Sequence, residues 1–222
     1  MSRKMCGRFC FVADEKQVKE RFDVETPSLF DQVYNAAPGQ NLAVIANDDP
    51  GTLSYFRWGL IPVWAKDASI GYRMINARSE TVQEKSTYKR LYGKRHCLVP
   101  VSGFYEWKKT PDGKQPYLLK HVQDDLFALA GLFDEWTDKE SGQVIRSFTI
   151  LTTDANDYVR EIHNRMPVIL SRDDEAAWLS CTLPHEMVVT PFDASRMTGY
   201  PVSTAVNSPK NNSPEIIQPV AP

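Results

Sequence analysis

Met5-Cys6-Gly7-Arg8-Phe9 leads into the first strand that the sequence predicts, and it places a cysteine directly after a methionine. If the chain starts at Met5 and loses it, Cys6 carries a free α-amine beside its thiol. An internal cysteine lacks this amine, because its nitrogen belongs to a planar amide with a delocalised lone pair. A free α-amine titrates near ~7.7–8.0 and a thiol near ~8.5, so both reach nucleophilic forms close to neutral pH. Together they can capture one aldehyde carbon, first as an imine and then as a thiazolidine ring.

Four residues, Met1-Ser2-Arg3-Lys4, precede this stretch and would place the nitrogen of Cys6 in a peptide bond. We predict that Met5 is the true start. Residues 1–4 are then an extension or a start-site artefact, and they are excluded from reasoning about a site. The remaining residues, 5–222, are long enough to bury a core of their own, and we expect them to form a single domain.

Composition argues against several classes of protein. The formal net charge of −2 does not fit a chain that coats nucleic acid through global positive charge. The longest apolar run, residues 126–133, is too short to cross a membrane. Four cysteines in a chain of this length do not make a disulfide framework. We therefore expect a cytoplasmic monomer with reduced thiols and no membrane contact.

Apolar segments separated by Gly- and Pro-containing turns predict many strands. They cover residues 42–46, 53–58, 97–101, 103–109, 117–121, 127–133 and 144–151. Asp14, with Gln17 three residues later, predicts a capped short helix, and Asp154 is expected to cap another that ends before His163. Residues 85–95 read as a basic helix, and the stretch after Pro201 reads as an ordered surface tail. The fold class is α+β, with a largely antiparallel, barrel-like sheet and peripheral helices.

Several residues have reactive side chains in unusual local settings. Glu106 is flanked by aromatic residues on a predicted strand, where desolvation can raise the pKa of a carboxyl group. The alternative is an edge-strand Glu paired with Lys108. His163 follows a helix and precedes a proline, which can present an imidazole to a ligand, although a surface histidine has the same pattern. Asn76 and Arg78 lie two apart, so on an extended segment their side chains face the same way; the alternative is an ordinary loop.

Two kinds of binding site are also open from the residues alone. Cys6-x3-Cys10 and Cys181-x3-His185 offer four zinc-type ligands, but the spacing is looser than in common zinc motifs. Residues 85–95 hold five basic side chains and no acidic one. Joined with Arg8, Arg78 and an aromatic loop containing Trp58 and Trp64, this run resembles a groove for single-stranded nucleic acid.

A set of motifs spread along the chain resembles one protein family. The motifs are Met5-Cys6-Gly7-Arg8-Phe9, Tyr34-Asn35-Ala36-Ala37-Pro38-Gly39, Trp58-Gly59-Leu60-Ile61-Pro62, Ile75-Asn76-Ala77-Arg78-Ser79-Glu80-Thr81, Phe104-Tyr105-Glu106-Trp107-Lys108 and Ile162-His163-Asn164-Arg165-Met166-Pro167. They resemble the SRAP (SOS-response-associated peptidase) family of abasic-site-processing proteins, over residues 5 to about 219.

This resemblance implies a DNA-damage protein that forms a covalent thiazolidine crosslink with abasic sites in single-stranded DNA and shields the lesion. It implies that Cys6 is the nucleophile and that Asn76, Glu106 and His163 complete the active site. The residues implied in DNA contact are Arg8, Pro38, Gly39, Trp64, Arg78, Trp107 and Thr152. No cofactor or metal is implied, and the protein would be nucleoid-associated when bound to DNA.

Alternative activities remain open at this stage. An imine at Cys6 can drive strand cleavage, so lyase activity is an expected side reaction. An N-terminal-nucleophile peptidase or amidohydrolase, with possible self-removal of a leader, would use the same cysteine and amine. A non-catalytic single-strand binding module would need only the basic and aromatic surface.

Overall fold

The computed structural model of the protein describes residues 6–28 and 31–220, so the predicted extension lies outside the described residues. The strands β1–β13 are Phe9–Phe11, Val33–Ala36, Asn41–Ala46, Asp49–Trp58, Asn76–Arg78, His96–Val101, Gly103–Thr110, Gly113–His121, Phe127–Thr137, Val144–Asp154, Arg165–Pro167, Ile169–Leu170 and Met197–Pro201. The helices α1–α5 are Glu15–Phe22, Ser86–Lys89, Asp157–Arg160, Arg172–Leu179 and His185–Val189. Within the two described ranges, no helix is long and apolar enough to cross a bilayer.

Five strands close into a barrel. Their order is β10–β4–β3–β6–β9, and β9 pairs with β10 again. All neighbours are antiparallel except β4 and β10, which run parallel and complete the ring. The short strands β5 and β11 pair with the C-terminal part of β10, and β12 pairs with the N-terminal part of β9. The predicted fold class, α+β with a largely antiparallel, barrel-like sheet, is therefore confirmed.

Large apolar side chains from the barrel strands form the main core. The rings of Phe56 and Phe133 have centroids 5.5 Å apart, and Trp58 stacks on Phe148 at 6.3 Å. Burying each side chain of this size contributes about 1.5–3 kcal/mol. The indole nitrogen of Trp58 donates to the carbonyl of Ile75 at 3.0 Å, so the polar atom of this buried side chain is paired. The predicted aromatic groove is wrong for Trp58, because this side chain belongs to the core.

A second sheet, in the order β13–β8–β7–β1–β2, packs against the barrel. Alternation along β7 sends successive side chains to opposite faces, as a strand requires. Phe104 joins the main core with Phe9, whereas Tyr105 joins a smaller cluster with Cys10 and Leu118. The second face is covered by the chain after β13.

That C-terminal segment is held on by buried contacts. Its apolar residues Val202, Val206 and Ile216 complete the smaller cluster. The side-chain amide of Asn35 donates to three of its carbonyls, including that of Val206 at 3.2 Å, and Asn35 is only 1% exposed. The segment is ordered, as expected, but it forms part of the core.

Side chains cap the starts of α1 and α3. Asp14 and Gln17 form the predicted capping box at the start of α1. Asp154 was predicted to cap the helix before His163, and this is wrong. Asn156 caps α3 instead, by accepting from the amide of Val159 at 2.9 Å. Asp154 ends β10, and its carboxylate pairs with Arg165. The predicted basic helix in residues 85–95 is reduced to the single turn of α2.

Candidate active site

Pairing between β1 and β7 brings Cys6 to Glu106. The two strands are antiparallel, and the amide of Tyr105 donates to the carbonyl of Arg8 at 3.0 Å. In an antiparallel ladder, each step back along one strand matches a step forward along the other. The chain before β1 therefore runs toward Glu106, and the backbone nitrogen of Cys6 donates to Oε1 of Glu106 at 2.8 Å.

Glu106 is a buried carboxyl group close to an imidazole. It is 3% exposed, and burial raises its pKa above the ordinary value for a glutamate. The electrostatic interaction with His163 and the hydrogen bonds from Cys6 oppose this rise in pKa. Among the described residues, Glu106 forms no ion pair with Lys108, which was the alternative reading of this motif. A carboxyl with a raised pKa is suited to accept and return a proton.

The Cys6 thiol lies in the same buried environment. Burial raises the pKa of this thiol well above its usual value, the carboxyl of Glu106 raises it further, and the charge of Arg165 opposes both effects. The thiol is therefore neutral at neutral pH in this pocket. Its conversion to a thiolate needs a proton acceptor in contact, and Glu106 is hydrogen-bonded to the same residue.

Strand β5 carries two of the predicted site residues. It runs parallel to β10, with Asn76 opposite Ile150 and Arg78 opposite Thr152. The side-chain amide of Asn76 donates to the carbonyl of Cys6 at 3.4 Å, and Arg78 is exposed. Thr152 is fully buried and contacts Ala77, so its position favours support beneath the site over contact with DNA.

His163 lies in the turn between α3 and β11 and lines the same cavity as Glu106. Nδ1 of His163 lies 3.2 Å from the amide nitrogen of Arg165 and 3.3 Å from its carbonyl oxygen, so the backbone of Arg165 holds the ring in place. Arg165 itself is 6% exposed and binds both carboxylate oxygens of Glu80. Sequence reasoning did not single out Arg165, although it lies in the same motif as His163.

The C-terminal segment fixes two further predicted site residues. The guanidinium of Arg8 donates to Oδ1 of Asn35 at 2.8 Å and to the carbonyls of Val206 and Asn207. The indole nitrogen of Trp107 donates to Oδ1 of Asn207 at 2.7 Å. Asn35 was quoted only as part of a motif, because a sequence pattern does not show that it lies near Asn207.

Two cavities flank Trp107, and its side chain lines both. One of about 440 Å³ contains Glu106 and His163, and the other, of about 370 Å³, contains Arg8 and Pro38. The remaining predicted contacts lie nearby in the chain: Gly39 follows Pro38 with a positive φ of 92°, and Trp64 is 59% exposed beside a cavity of about 510 Å³. The structure thus brings Cys6, Asn76, Glu106 and His163 together, and Arg8, Pro38 and Trp107 adjoin them.

The zinc ligands considered from the sequence do not assemble within residues 6–28 and 31–220, where no group of three or more His, Cys, Asp or Glu side chains could hold a metal ion. The Cys10 thiol donates to the carbonyl of Gly103 at 3.6 Å. Cys181 instead receives a hydrogen bond from Asn47.

These features define a class of protein: a closed β-barrel with an attached sheet, whose site combines a cysteine near the start of the chain with a buried carboxyl, an amide and an imidazole. The family model described as SOS response associated peptidase (SRAP) matches residues 5–209. The chain belongs to this family.

The chain is also similar to individual relatives. It is 43% identical over 223 residues to the abasic site processing protein YoqW of Bacillus subtilis (strain 168), covering 96% of this chain and 99% of that protein. It is 36% identical over 248 residues to the abasic site processing protein HMCES of Gallus gallus, covering 96% of this chain and 74% of that protein. The crystal structure of a Bacteroides thetaiotaomicron protein superposes with a TM-score of 0.88 at 28% identity, covering 97% of this chain and 100% of that one.

Proposed function

We propose that this protein processes abasic sites, by capturing the deoxyribose aldehyde in single-stranded DNA as a thiazolidine on Cys6. The observation that carries the proposal is the 2.8 Å hydrogen bond from the nitrogen of Cys6 to the buried carboxyl of Glu106. It places the atom that would be the α-amine beside a proton acceptor. The relatives YoqW and HMCES are both named abasic site processing proteins, which supports the choice of substrate.

The proposal requires Met5 to be the start and to be removed, so that Cys6 begins the mature chain. Two observations support this requirement. The family match begins at residue 5. Cys6 also has a positive φ of 39°, which costs an L residue roughly 1–2 kcal/mol. That torsion involves the preceding carbonyl carbon, so a Cys6 without a preceding residue would not bear the cost.

The first half of the proposed reaction forms an imine. Glu106 accepts a proton from the α-ammonium of Cys6, and the free amine adds to the aldehyde carbon of the ring-opened sugar. Glu106 returns this proton through His163 to the departing hydroxyl, water leaves, and Glu106 is again a carboxylate for the second half. Asn76 holds the carbonyl of Cys6 and so orients the nucleophile. Positioned acid and base groups of this kind contribute about 10²–10⁴-fold to a rate.

The second half closes the ring. The thiol proton of Cys6 passes to the carboxylate, the sulfur adds to the imine carbon, and the nitrogen takes up a proton. The net reaction joins the aldehyde to the cysteine with loss of one water. Before closure, the imine acidifies the neighbouring C2′ hydrogen and permits β-elimination of the 3′ phosphate. Lyase activity is therefore a side reaction that ring closure suppresses.

The test is a time course with a single-stranded abasic oligonucleotide on a denaturing gel. We expect a stable shifted band with the parent protein and with Cys181→Ala, the matched control in which another cysteine is replaced. Cys6→Ala retains an amine, so we expect only an imine that borohydride can trap. A Cys6→Ala adduct as durable as that of the parent would refute the thiazolidine.

Three further readouts complete the test. Intact mass should give a mature chain that starts at Cys6; a chain that starts at Ser2 and still crosslinks would contradict the role of the amine. Peptide turnover without a DNA adduct would favour the N-terminal-nucleophile peptidase instead. Protein–DNA complexes without any covalent band would favour a simple binding module.

A further inference from the structure

The cavity of about 440 Å³ beside Glu106 and His163 opens onto a basic wall that the proposed chemistry does not use. Two elements supply its cations, the β7–β8 hairpin and the end of α3. These cations are Lys108, Lys109, Lys114 and Arg160. The cavity lining also includes two acidic residues, Glu161 and the buried Glu106. We call the surface formed by these four cations the hairpin groove.

The arrangement of the hairpin lysines is unfavourable for the protein alone. Lys109 of β7 lies directly opposite Lys114 of β8 in the antiparallel register. Like charges in this cross-strand position repel each other and destabilise a hairpin. No described acidic residue lies within ion-pair distance of Lys108, Lys109 or Lys114. An anionic ligand would offset this repulsion.

Trp107 separates the hairpin groove from the cavity that contains Arg8 and Pro38. A strand whose lesion lies at Cys6 extends away from the site in two directions. Arg8 and Pro38, which the resemblance implies in DNA contact, line the cavity on one side. The hairpin groove is continuous with Glu106 and His163, so it adjoins the reacting atoms on the other side.

We propose that the hairpin groove binds the backbone phosphates of nucleotides on one side of the lesion. This inference rests on the proposed function, since it takes abasic single-stranded DNA as the ligand. Lysines suit the role because each is a flexible point charge that follows a phosphate without reading a base. The groove would therefore add affinity and fix the direction of the strand, with no sequence preference.

The test compares Lys109→Gln/Lys114→Gln with a matched control, Lys16→Gln/Lys19→Gln. The control removes the same charge from α1, which does not line the groove. Equilibrium binding is measured with an oligonucleotide that carries tetrahydrofuran, an abasic analogue without an aldehyde, over a range of salt concentrations. Each lost phosphate contact lowers the salt dependence of log Kd by about 0.7, so we expect a decrease of about 1.4 for the hairpin variant.

We expect the control to keep the parent's salt dependence. The hairpin variant should also be at least as stable to heat as the parent, because it removes a repulsion; this separates a binding defect from misfolding. A hairpin variant with the parent's salt dependence would overturn the inference.

Direction is tested with analogues that carry flanking nucleotides only on the 5′ side or only on the 3′ side. The hairpin variant should bind one of these two analogues more weakly than the parent does, and should bind the other as tightly as the parent. Equal losses with both would overturn the inference. Failure of the parent to crosslink a true abasic site would instead refute the proposed function. The binding measurements with the tetrahydrofuran analogues do not depend on crosslinking, so the two failures can be distinguished.

Discussion

His96 should make the fold sensitive to acid, which fixes the pH range for any assay of the site. This side chain is 3% exposed and stacks on Trp178 with ring centroids 3.8 Å apart. Its Nδ1 lies 2.8 Å from the carbonyl of Trp178, and its Nε2 accepts from the amide of Gly93 at 2.9 Å. The neutral ring with its proton on Nδ1 satisfies both contacts. A proton on Nε2 would face the N–H of Gly93.

Burial lowers the pKa of His96 to about 4, against about 6.5 in an unfolded chain. Because the folded pKa is the lower one, the stability from neutral His96 is complete above about pH 6.5. It is lost as the pH falls from there toward 4. Each unit of difference between the folded and unfolded pKa values corresponds to about 1.4 kcal/mol. The free energy of unfolding should therefore fall by roughly 2.5 kcal/mol between about pH 7.5 and about pH 4.5.

Urea unfolding of the parent and of His96→Gln at these two pH values measures the effect. Glutamine keeps one donor and one acceptor but does not titrate. The variant should be less stable at high pH, since it loses the stacked ring, and its pH dependence should be smaller than the parent's by roughly 2.5 kcal/mol. Equal pH dependence in both proteins would refute the reasoning. Crosslinking rates are then best compared above about pH 6.5.

Three other outcomes are expected. Glu106→Gln should slow crosslinking by about 10²–10⁴-fold on a gel time course. Since burial raises the pKa of Glu106, its carboxylate forms at higher pH than an ordinary one, and the parent's rate should rise with pH over that window while the variant's does not. Asn207→Leu removes the acceptor of the Trp107 indole, and a loss of about 1 kcal/mol should weaken analogue binding roughly five-fold, while the rate at saturation stays unchanged; a changed saturated rate with unchanged binding would contradict this. Gly71→Ala places a Cβ 2.6 Å from the carbonyl oxygen of Gly59, so thermal unfolding should show about 1–3 kcal/mol of destabilisation, and a Tm equal to the parent's would show that the backbone yields.

Local signals predicted the local structure well. The capping box of Asp14 and Gln17, and most of the strands, follow from short-range patterns that the structure confirms. Asp154 shows the limit of such signals. Aspartate often caps helices, but Asp154 lies two positions before Asn156, which is the residue that caps α3. Its carboxylate binds Arg165, a residue eleven positions away, and this tertiary contact competes with the local preference.

Long-range features were harder to predict. The parallel contact of β4 with β10 closes the barrel, yet no alternation of residues shows which strands pair across so much sequence. Trp58 lies in a Gly- and Pro-rich motif typical of an exposed loop, but its ring is in the core. Likewise, the hydrogen bonds of Asn35 to the C-terminal segment depend on strand β2 lying beside β1, which only the folded chain reveals. The four residues proposed for catalysis were named from motif resemblance, and the structure explains their proximity through strand pairing.

The contact of Arg8 with Asn207 joins residues 199 positions apart, and it has a consequence for the timing of the proposed removal of Met5. At roughly 5–20 residues per second, a ribosome adds the last wall of the site about 10–40 s after it has made Cys6. During that interval Glu106 and the C-terminal segment are still being synthesised, so the beginning of the nascent chain is open to an aminopeptidase. If Cys6 begins the mature chain, as proposed, completion of the chain then encloses its amine, and an unfinished protein has no formed pocket in which to react with a cellular aldehyde.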